Sequence, residues 1–390
     1  MNRSLFIMGK NADLPESPKK ATSYFGISLF ALVLAACTTS STSAQTPTQT
    51  QGGNKSTPIV TPSEIPQILK SANEKNNLNN QTLSIPGQGQ IETGTALALD
   101  DAFFKMQKLA GSKSVTGANY IPFYYSLKGD SIPYSSHYPA HFLAMVSLTS
   151  PANSASPAAA CPNSDSATLF EFVKSSPNSN WKVALEPFTN GSTSPKFATL
   201  KDGYSAPLNP KTKLVLPLAQ IPATFAQALQ IYGTSGRITG GLAKSDFSTT
   251  GCWSVFDFHQ GYTFYKSASI APTLSIAPVT PSDVVTFPLT KGAVLELFSL
   301  RFVYNLRPAT ATGSINQQTQ RGNPYSYTLP AGQYSSVSQP GICELAVVDP
   351  PNSINLSRST QPQLVGADCG ELMASGQKAS KVTTVNFVGQ

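Results

Sequence analysis

Three histidines, five cysteines and one adjacent pair of aspartates are the side chains with which this 390-residue chain could do chemistry. His137 and His141 stand four apart, the spacing of two metal ligands on one helix face. Pro139 between them and the strand-like run after Ala140 break such a helix, which predicts a loop histidine and a strand-start histidine instead. His259, beside Gln260-Gly261, reads as a structural residue in a turn. Gly233-Thr234-Ser235-Gly236 lacks the second spacer of a Gly-x-Ser-x-Gly elbow, and no strand leads into it, so it reads as the turn after a helix. Asp100 and Asp101, neighbours on a helix, point about 100° apart and share a proton poorly. They are expected on a solvated helix face with one ion pair. Gly240-Gly241 and Gly52-Gly53 are isolated and form no phosphate-binding pattern. No catalytic set, metal site or cofactor is expected.

Cysteine is the exception. Lys19-Lys20 precede an uncharged run from Tyr24 to Ala36 that ends Leu34-Ala35-Ala36-Cys37, the order of parts in a secretory signal. Thirteen residues make roughly 20 Å of helix, short of the ~30 Å hydrocarbon core of a bilayer. The run is therefore read as cleaved. Leu-Ala-Ala-Cys resembles the lipobox of bacterial lipoproteins, which assigns Cys37 a diacylglycerol and residues 1–36 to a removed signal peptide. The alternative is an ordinary secretory signal cleaved after Ala44. Two acyl chains, each worth about 0.8 kcal/mol per buried methylene, suffice for stable anchoring. The leader before the hydrophobic run is unusually long, which leaves Met8 as an alternative start to Met1. Residues 37–58, nearly all Ser, Thr, Gln, Pro and Gly after the cysteine, cannot repay their ordering entropy and are read as a flexible stalk reaching on the order of 25 Å.

Four cysteines remain, Cys161, Cys252, Cys343 and Cys369. An even number in an exported chain points to disulfides, and none lies in a Cys-x-x-Cys pair of the zinc or redox kind. Of three connectivities, Cys343–Cys369 with Cys161–Cys252 is favoured, because the first closes a short loop.

Composition sets further bounds. Removing residues 1–36 takes four of 27 basic and two of 20 acidic side chains, leaving a net charge of +5. No Lys/Arg run interleaved with aromatics is present, so no nucleic-acid partner is expected. Charged residues are only 12% of the chain and prolines number 31, which disfavours long charged helices and predicts strands and loops.

The elements that must position any site follow from periodicity. Thr61-Pro62-Ser63-Glu64 has capping-box order and opens a helix to Asn80, with Ile65, Ile68 and Leu69 on one face and Pro66 in the first turn. A second helix runs from about Thr95 to Ala110, where Asp101 and Lys105 can pair. Strands are expected at Tyr120 to Ser126, His141 to Thr149, Ala167 to Lys174 and Trp181 to Phe188. In the third, Phe170 and Phe172 face away from Glu171. In the fourth, Trp181, Val183 and Leu185 oppose Lys182 and Glu186. Residues 175–179 are a hairpin loop. After a polar stretch from Thr189 to Thr212 the order repeats: a helix over Pro222 to Tyr232, then strands at Trp253 to Phe258, Tyr262 to Ser267, Val284 to Leu289, Ala293 to Leu306 and Ile342 to Val348. The expectation is an α+β fold of two tandem halves, 59–200 and 201–390, each a short helical start on a curved antiparallel sheet.

The lipobox at Cys37, the run Ile91-Glu92-Thr93-Gly94-Thr95-Ala96-Leu97-Ala98-Leu99-Asp100, the hairpin from Thr168-Leu169-Phe170-Glu171-Phe172 to Trp181-Lys182-Val183-Ala184, and Asp202-Gly203-Tyr204 resemble an uncharacterised family of actinobacterial secreted lipoproteins. The resemblance spans most of the mature chain. It implies a Glu-Thr-Gly link between two N-terminal helices and halves similar to nuclear-transport-factor-like or cystatin-like cones. It supplies no catalytic residues. This chain departs from it in being poorer in charge, and in an extended loop from Thr310 to Gln339.

Together these readings predict a lipoprotein anchored on the extracytoplasmic face of the cell membrane, a non-enzymatic binding or assembly module. The membrane, through its lipid, and an envelope protein or small apolar ligand would be its partners. The strand aromatics Tyr120, Phe123, Tyr124, Tyr125, Phe256, Phe258, Phe264 and Tyr265 would be mostly core. The alternative is an envelope hydrolase or isomerase, with Asp100, Tyr124 or His141 facing into one cone's cavity. A periplasmic-type solute-binding fold is disfavoured, because alternating helices and parallel strands are not expected.

Overall fold

Thr61 donates its backbone N–H to Glu64 Oε2 at 2.7 Å, half of the expected capping box, and α1 (Ile65–Thr82) starts there. The computed structural model describes residues 57–115, 120, 122–149, 167–189, 195–209, 211–240, 242–243, 257–279, 284–319, 324–352, 361–379 and 384–386. Cys37, Cys161, Cys252, the leader and nearly all of the stalk lie outside them. A short helix not anticipated from periodicity, α2 (Ile85–Ile91), precedes α3 (Gly94–Leu109). Ser84 Oγ caps it, accepting from Gly87 N at 3.1 Å.

Five strands follow: β1 (Tyr124–Ser131), β2 (Ala140–Thr149), β3 (Ala167–Lys174), β4 (Lys182–Leu185) and β5 (Phe188–Thr189). The first four form the expected antiparallel meander. Helices then recur as α4 (Ile221–Ser235) and α5 (Phe258–Ser267), followed by β6 (Ile270–Pro278), β7 (Val285–Pro288), β8 (Val294–Pro308), β9 (Ser314–Gln317), β10 (Gly332–Asp349), β11 (Gln363–Glu371), β12 (Ser375–Lys378) and β13 (Thr384–Asn386).

The α+β class holds, and the order of helices then strands occurs twice. The strands do not form two sheets. All thirteen join one, ordered β1-β2-β3-β5-β11-β10-β8-β6 along its main path. Pairing is antiparallel except between β13 and β9. The join is β5, where Thr189 faces Ala167 of β3 on one side and Gly366 of β11 on the other.

Two helical layers cover the sheet. Ile65, Leu69 and Ala96 pack on Phe142, Ala144, Val146, Phe170 and Phe172 of β2 and β3. Phe225, Leu229 and Phe258 of α4 and α5 pack on Phe298, Phe302, Tyr304 and Leu345. The opposite faces of β2–β3 and β7–β8 share a third cluster, with Leu143, Met145 and Leu169 against Phe287, Leu295 and Leu297. Strands that distant in ladder order meet only because the sheet curls over on itself. Edge strand β6 is shielded by α4: Gln230 Nε2 donates to Leu274 O at 2.6 Å, and Ile276 N donates to Gln230 Oε1 at 2.8 Å.

Several expectations are corrected. Tyr262 to Ser267 is helix, not strand. Asp257 caps it by accepting from Gln260 N at 2.9 Å, and Phe258 and Tyr265 bury one stripe seven residues apart. Phe258, Phe264 and Tyr265 are thus helical, and residues 253–256 lie outside the described set. Part of the loop from Thr310 to Gln339 is β9 and the start of β10. Residues 270–278 and 363–371, read as no element, are strands; Pro272 and Pro278 obscure the first, which as an edge strand tolerates them. Gly233-Thr234-Ser235 is the last turn of α4, and Gly236 (φ 71°) is its left-handed cap. Among the described residues no helix is long and apolar enough to cross a membrane.

Candidate functional site

The buried stripe of α1 begins apolar at Ile65 and Leu69 and continues, at the same helical spacing, as Asn73, Asn76 and Asn80. Carboxamides inside a protein must be paired, and these are. Asn73 and Asn77 Nδ2 donate to Phe123 O at 3.0 and 2.7 Å. Asn76 Nδ2 donates to Tyr125 Oη at 2.7 Å, and Asn80 Nδ2 to Asn76 Oδ1 at 3.0 Å. Asn77 Oδ1 accepts from Phe123 N and Tyr120 Oη. The amide stripe thereby ties α1 to the segment entering β1.

The short helix α2 supplies Gln88, fully buried, which organises the carboxylates. Its Nε2 donates to Asp100 Oδ2 at 2.6 Å and to Glu92 Oε1, while its Oε1 accepts from Asn79 Nδ2 at 3.0 Å. Glu92 sits in the extended link between α2 and α3, bridged in parallel to Val183, with Thr93 N donating to Val183 O at 2.9 Å. This is the Glu-Thr-Gly step of the sequence resemblance. Asp100, two turns into α3, is 8% exposed. The expected solvated face therefore fails for Asp100 and is met only in part by Asp101, which is half-buried with its Oδ1 enclosed; burial holds its carboxyl above the ordinary value, with nearby Lys105 opposing.

A third carboxylate arrives from the sheet. β4 is bulged against β3, so that Glu171 pairs Leu185 but Phe172 pairs Val183. The extra residue reverses the alternation: Val183 packs with α1 and Leu185 with the opposite cluster, correcting the expected single face. Glu186 consequently turns inward. Its backbone N–H donates to Glu344 Oε2 at 2.8 Å, and Thr95 Oγ1 donates to Glu344 Oε1 at 2.8 Å. Glu92, Asp100 and Glu186 each offer a carboxylate oxygen within 4.8 Å of the other two, the group among the described residues that could hold one cation.

Beside this trio lies a cavity of about 20 Å³, lined on the helix side by Asn76, Asn80, Asp100 and Phe103, and on the strand side by Tyr125, Phe170, Glu186 and Phe188 with Phe123, Leu148 and Thr168. No basic side chain is in that lining. The space exceeds what one water needs, roughly 10–15 Å³. The Tyr125 ring lies tilted by 60° against that of Phe170, with the centroids 4.8 Å apart. Its phenol is held well above its ordinary pKa, first by burial and then by the negative charge of Glu186, with the Asn76 hydrogen bond opposing.

The other singled-out residues are dispersed. His141 pairs through Nδ1 with Glu171 Oε1 at 2.7 Å, away from the cavity on the other face of β2 and β3, and His137 is exposed. Tyr124 is half-exposed; its neighbour Tyr125 takes the inward place. His259 lies in α5, its Nδ1 3.3 Å from Gly233 O. Cys343 and Cys369 form the expected disulfide, as directly opposed residues of β10 and β11. Sequence reasoning missed Gln88, Glu186 and the asparagine stripe. The stripe alone left a signal, the helical spacing of Asn73, Asn76 and Asn80 in register with Ile65 and Leu69.

Residues 56–376 match a family described as a domain of unknown function (DUF8094). No curated protein and no solved structure matches the chain.

Proposed function

Since the chain belongs to the DUF8094 family, a domain of unknown function, we propose from its own residues that it is a cell-envelope lipoprotein held on the extracytoplasmic face by a lipid on Cys37, acting as a non-enzymatic binding module for a compact cationic group. The lipobox and the sequence resemblance to actinobacterial secreted lipoproteins support the address. The observation that carries the binding reading is the cavity wall: two carboxylates, Asp100 and Glu186, and two carboxamides among five aromatic rings, with no basic lining residue. A carboxylate about 4 Å from a unit positive charge contributes on the order of 4 kcal/mol at a protein's effective dielectric, before desolvation. Aromatic faces add to this for an organic ammonium. The charged wall argues against the apolar ligand that the sequence suggested. Calorimetric titration of the mature protein with methylammonium, beside labelled fatty-acid incorporation by wild type and Cys37→Ala, tests both halves. Binding abolished by Asp100→Asn, with label lost in the cysteine variant, is expected. Unaltered titration by that variant, or label retained, rejects the corresponding half.

A second reading, an envelope hydrolase or isomerase, has one observation in its favour: Asp100 and Glu186 face one cavity, as an acid–base pair would. Turnover of an envelope glycan or peptide that disappears in both Asp100→Asn and Glu186→Gln would favour it over simple binding.

A further inference from the structure

Outside that cavity's lining, on the sheet face covered by α4, β8 and β10 place Val294 opposite Asp349 and Glu296 opposite Val347. Glu296 and Asp349 therefore project from the same face, diagonal neighbours across the ladder. Both are completely enclosed. Asp349 Oδ2 accepts from Leu216 N at 3.3 Å, while Asp349 Oδ1 and both oxygens of Glu296 have no hydrogen-bond partner. Two ionised carboxylates in such a place would be neither solvated nor compensated, at a cost far above that of one neutral acid donating to one anion.

The charged groups of the surrounding elements do not relieve this. β7 presents Thr286 opposite Glu296, and α4 carries no acidic or basic side chain. Lys213, ahead of Leu216, and Lys291, before β8, are both exposed. Glu344 and Arg301 alternate onto the opposite face of β10 and β8.

We propose that Glu296 and Asp349 share one proton, and that this proton is a latch holding residues 213–216, the segment leading into α4, against the end of the sheet. The remaining attachments of that segment are few: Val215 N to Pro350 O at 3.2 Å, Asn352 N to Lys213 O at 2.6 Å, and a bridge from Leu214 to Pro351. The proton resides on Glu296, because the amides of Leu216 and Val215 favour the charged form of Asp349. Burial, reinforced by Asp349, pushes the Glu296 carboxyl up to about 8, and burial pushes Asp349 up to about 6. The pair thus carries one proton through neutral pH and loses it in mildly alkaline solution, when two like charges meet and Asp349, the last residue of β10, parts from the strap.

Hydrogen exchange of the full chain, read by mass spectrometry and corrected for the intrinsic pH dependence, tests the latch. Protection of 213–221 is expected to fall by up to about tenfold for each pH unit between about 6 and 8 and to level off above 8, where the pair is deprotonated whether the strap is closed or open. That of β8 interior amides is expected to hold. Glu296→Gln, which keeps a neutral donor, should abolish the fall. Strap protection that ignores pH, or falls equally in the variant, overturns the latch. Infrared spectra of wild type supply an arm independent of the variant's folding. A protonated-carboxyl band present at pH 7 and gone at pH 9 is expected, and its absence at pH 7 overturns the shared proton.

Discussion

Gln88 donates to Asp100 Oδ2 across 2.6 Å with both side chains buried, and the same nitrogen reaches Glu92. One neutral amide thus stands between two carboxylates, in a helix of seven residues whose purpose in the fold is to bring it there.

Replacing Gln88 by leucine removes that donor while keeping the volume. Loss of a hydrogen bond to buried charge costs roughly 2–4 kcal/mol, seen as a lower midpoint in urea unfolding with an unchanged slope. A midpoint unmoved by the substitution would mean that the carboxylates do not depend on Gln88.

Gly233 of α4 lies where a Cβ would come 2.4 Å from Leu274 Cδ2 and 2.9 Å from Phe258 Cβ. Gly233→Ala should destabilise by about 1–3 kcal/mol despite the better helix propensity of alanine. A stabilised variant would show that α4, α5 and β6 have room to spread.

Cys343 and Cys369 are 26 residues apart and directly paired across β10 and β11. On the chain-entropy estimate their bond is worth about 3.5 kcal/mol. A Cys343→Ala/Cys369→Ala double variant should lose stability of that order, and peptide mapping of unreduced protein should recover the two residues linked. Free thiols at both positions would contradict the pairing.

Stability should fall as pH rises from about 4.5 to about 8. The Glu296 carboxyl lies at about 8 folded against an ordinary 4.5, so folding takes up a proton throughout that window. Asp349 contributes with the same sign only below about 6. Glu296→Gln should therefore flatten the slope chiefly between pH 6 and 8, in denaturation curves at matched ionic strength. An equal slope in the variant would place the titrating group elsewhere.

How far the sequence announces this structure depends on what each residue answers to. Ile65, Leu69 and the Phe170/Phe172 alternation answer to local period, and α1, α3 and β3 fall where those patterns place them. Tyr262 to Ser267 has strand composition, yet its Asp257 cap and the contact of Phe258 with Gly233 make it helix. The site resists local reading for a further reason. Glu186 enters the cavity only through the bulge in β4, and Asp100 is buried only because Gln88, twelve residues earlier, folds back over it. Neither event leaves a periodic trace, and the merging of two strand series into one sheet through a two-residue strand, β5, leaves none either.

The central claim is that the cavity between α1, α3 and the curled sheet receives a compact organic cation. Its most direct test is titration of side-chain-amide-labelled protein with methylammonium, following the Asn76 and Asn80 NH2 signals by nuclear magnetic resonance. Saturable shifts at both asparagines, absent in Asp100→Asn, are the predicted result. Signals that stay fixed with methylammonium, or that move only with calcium ion, would contradict it.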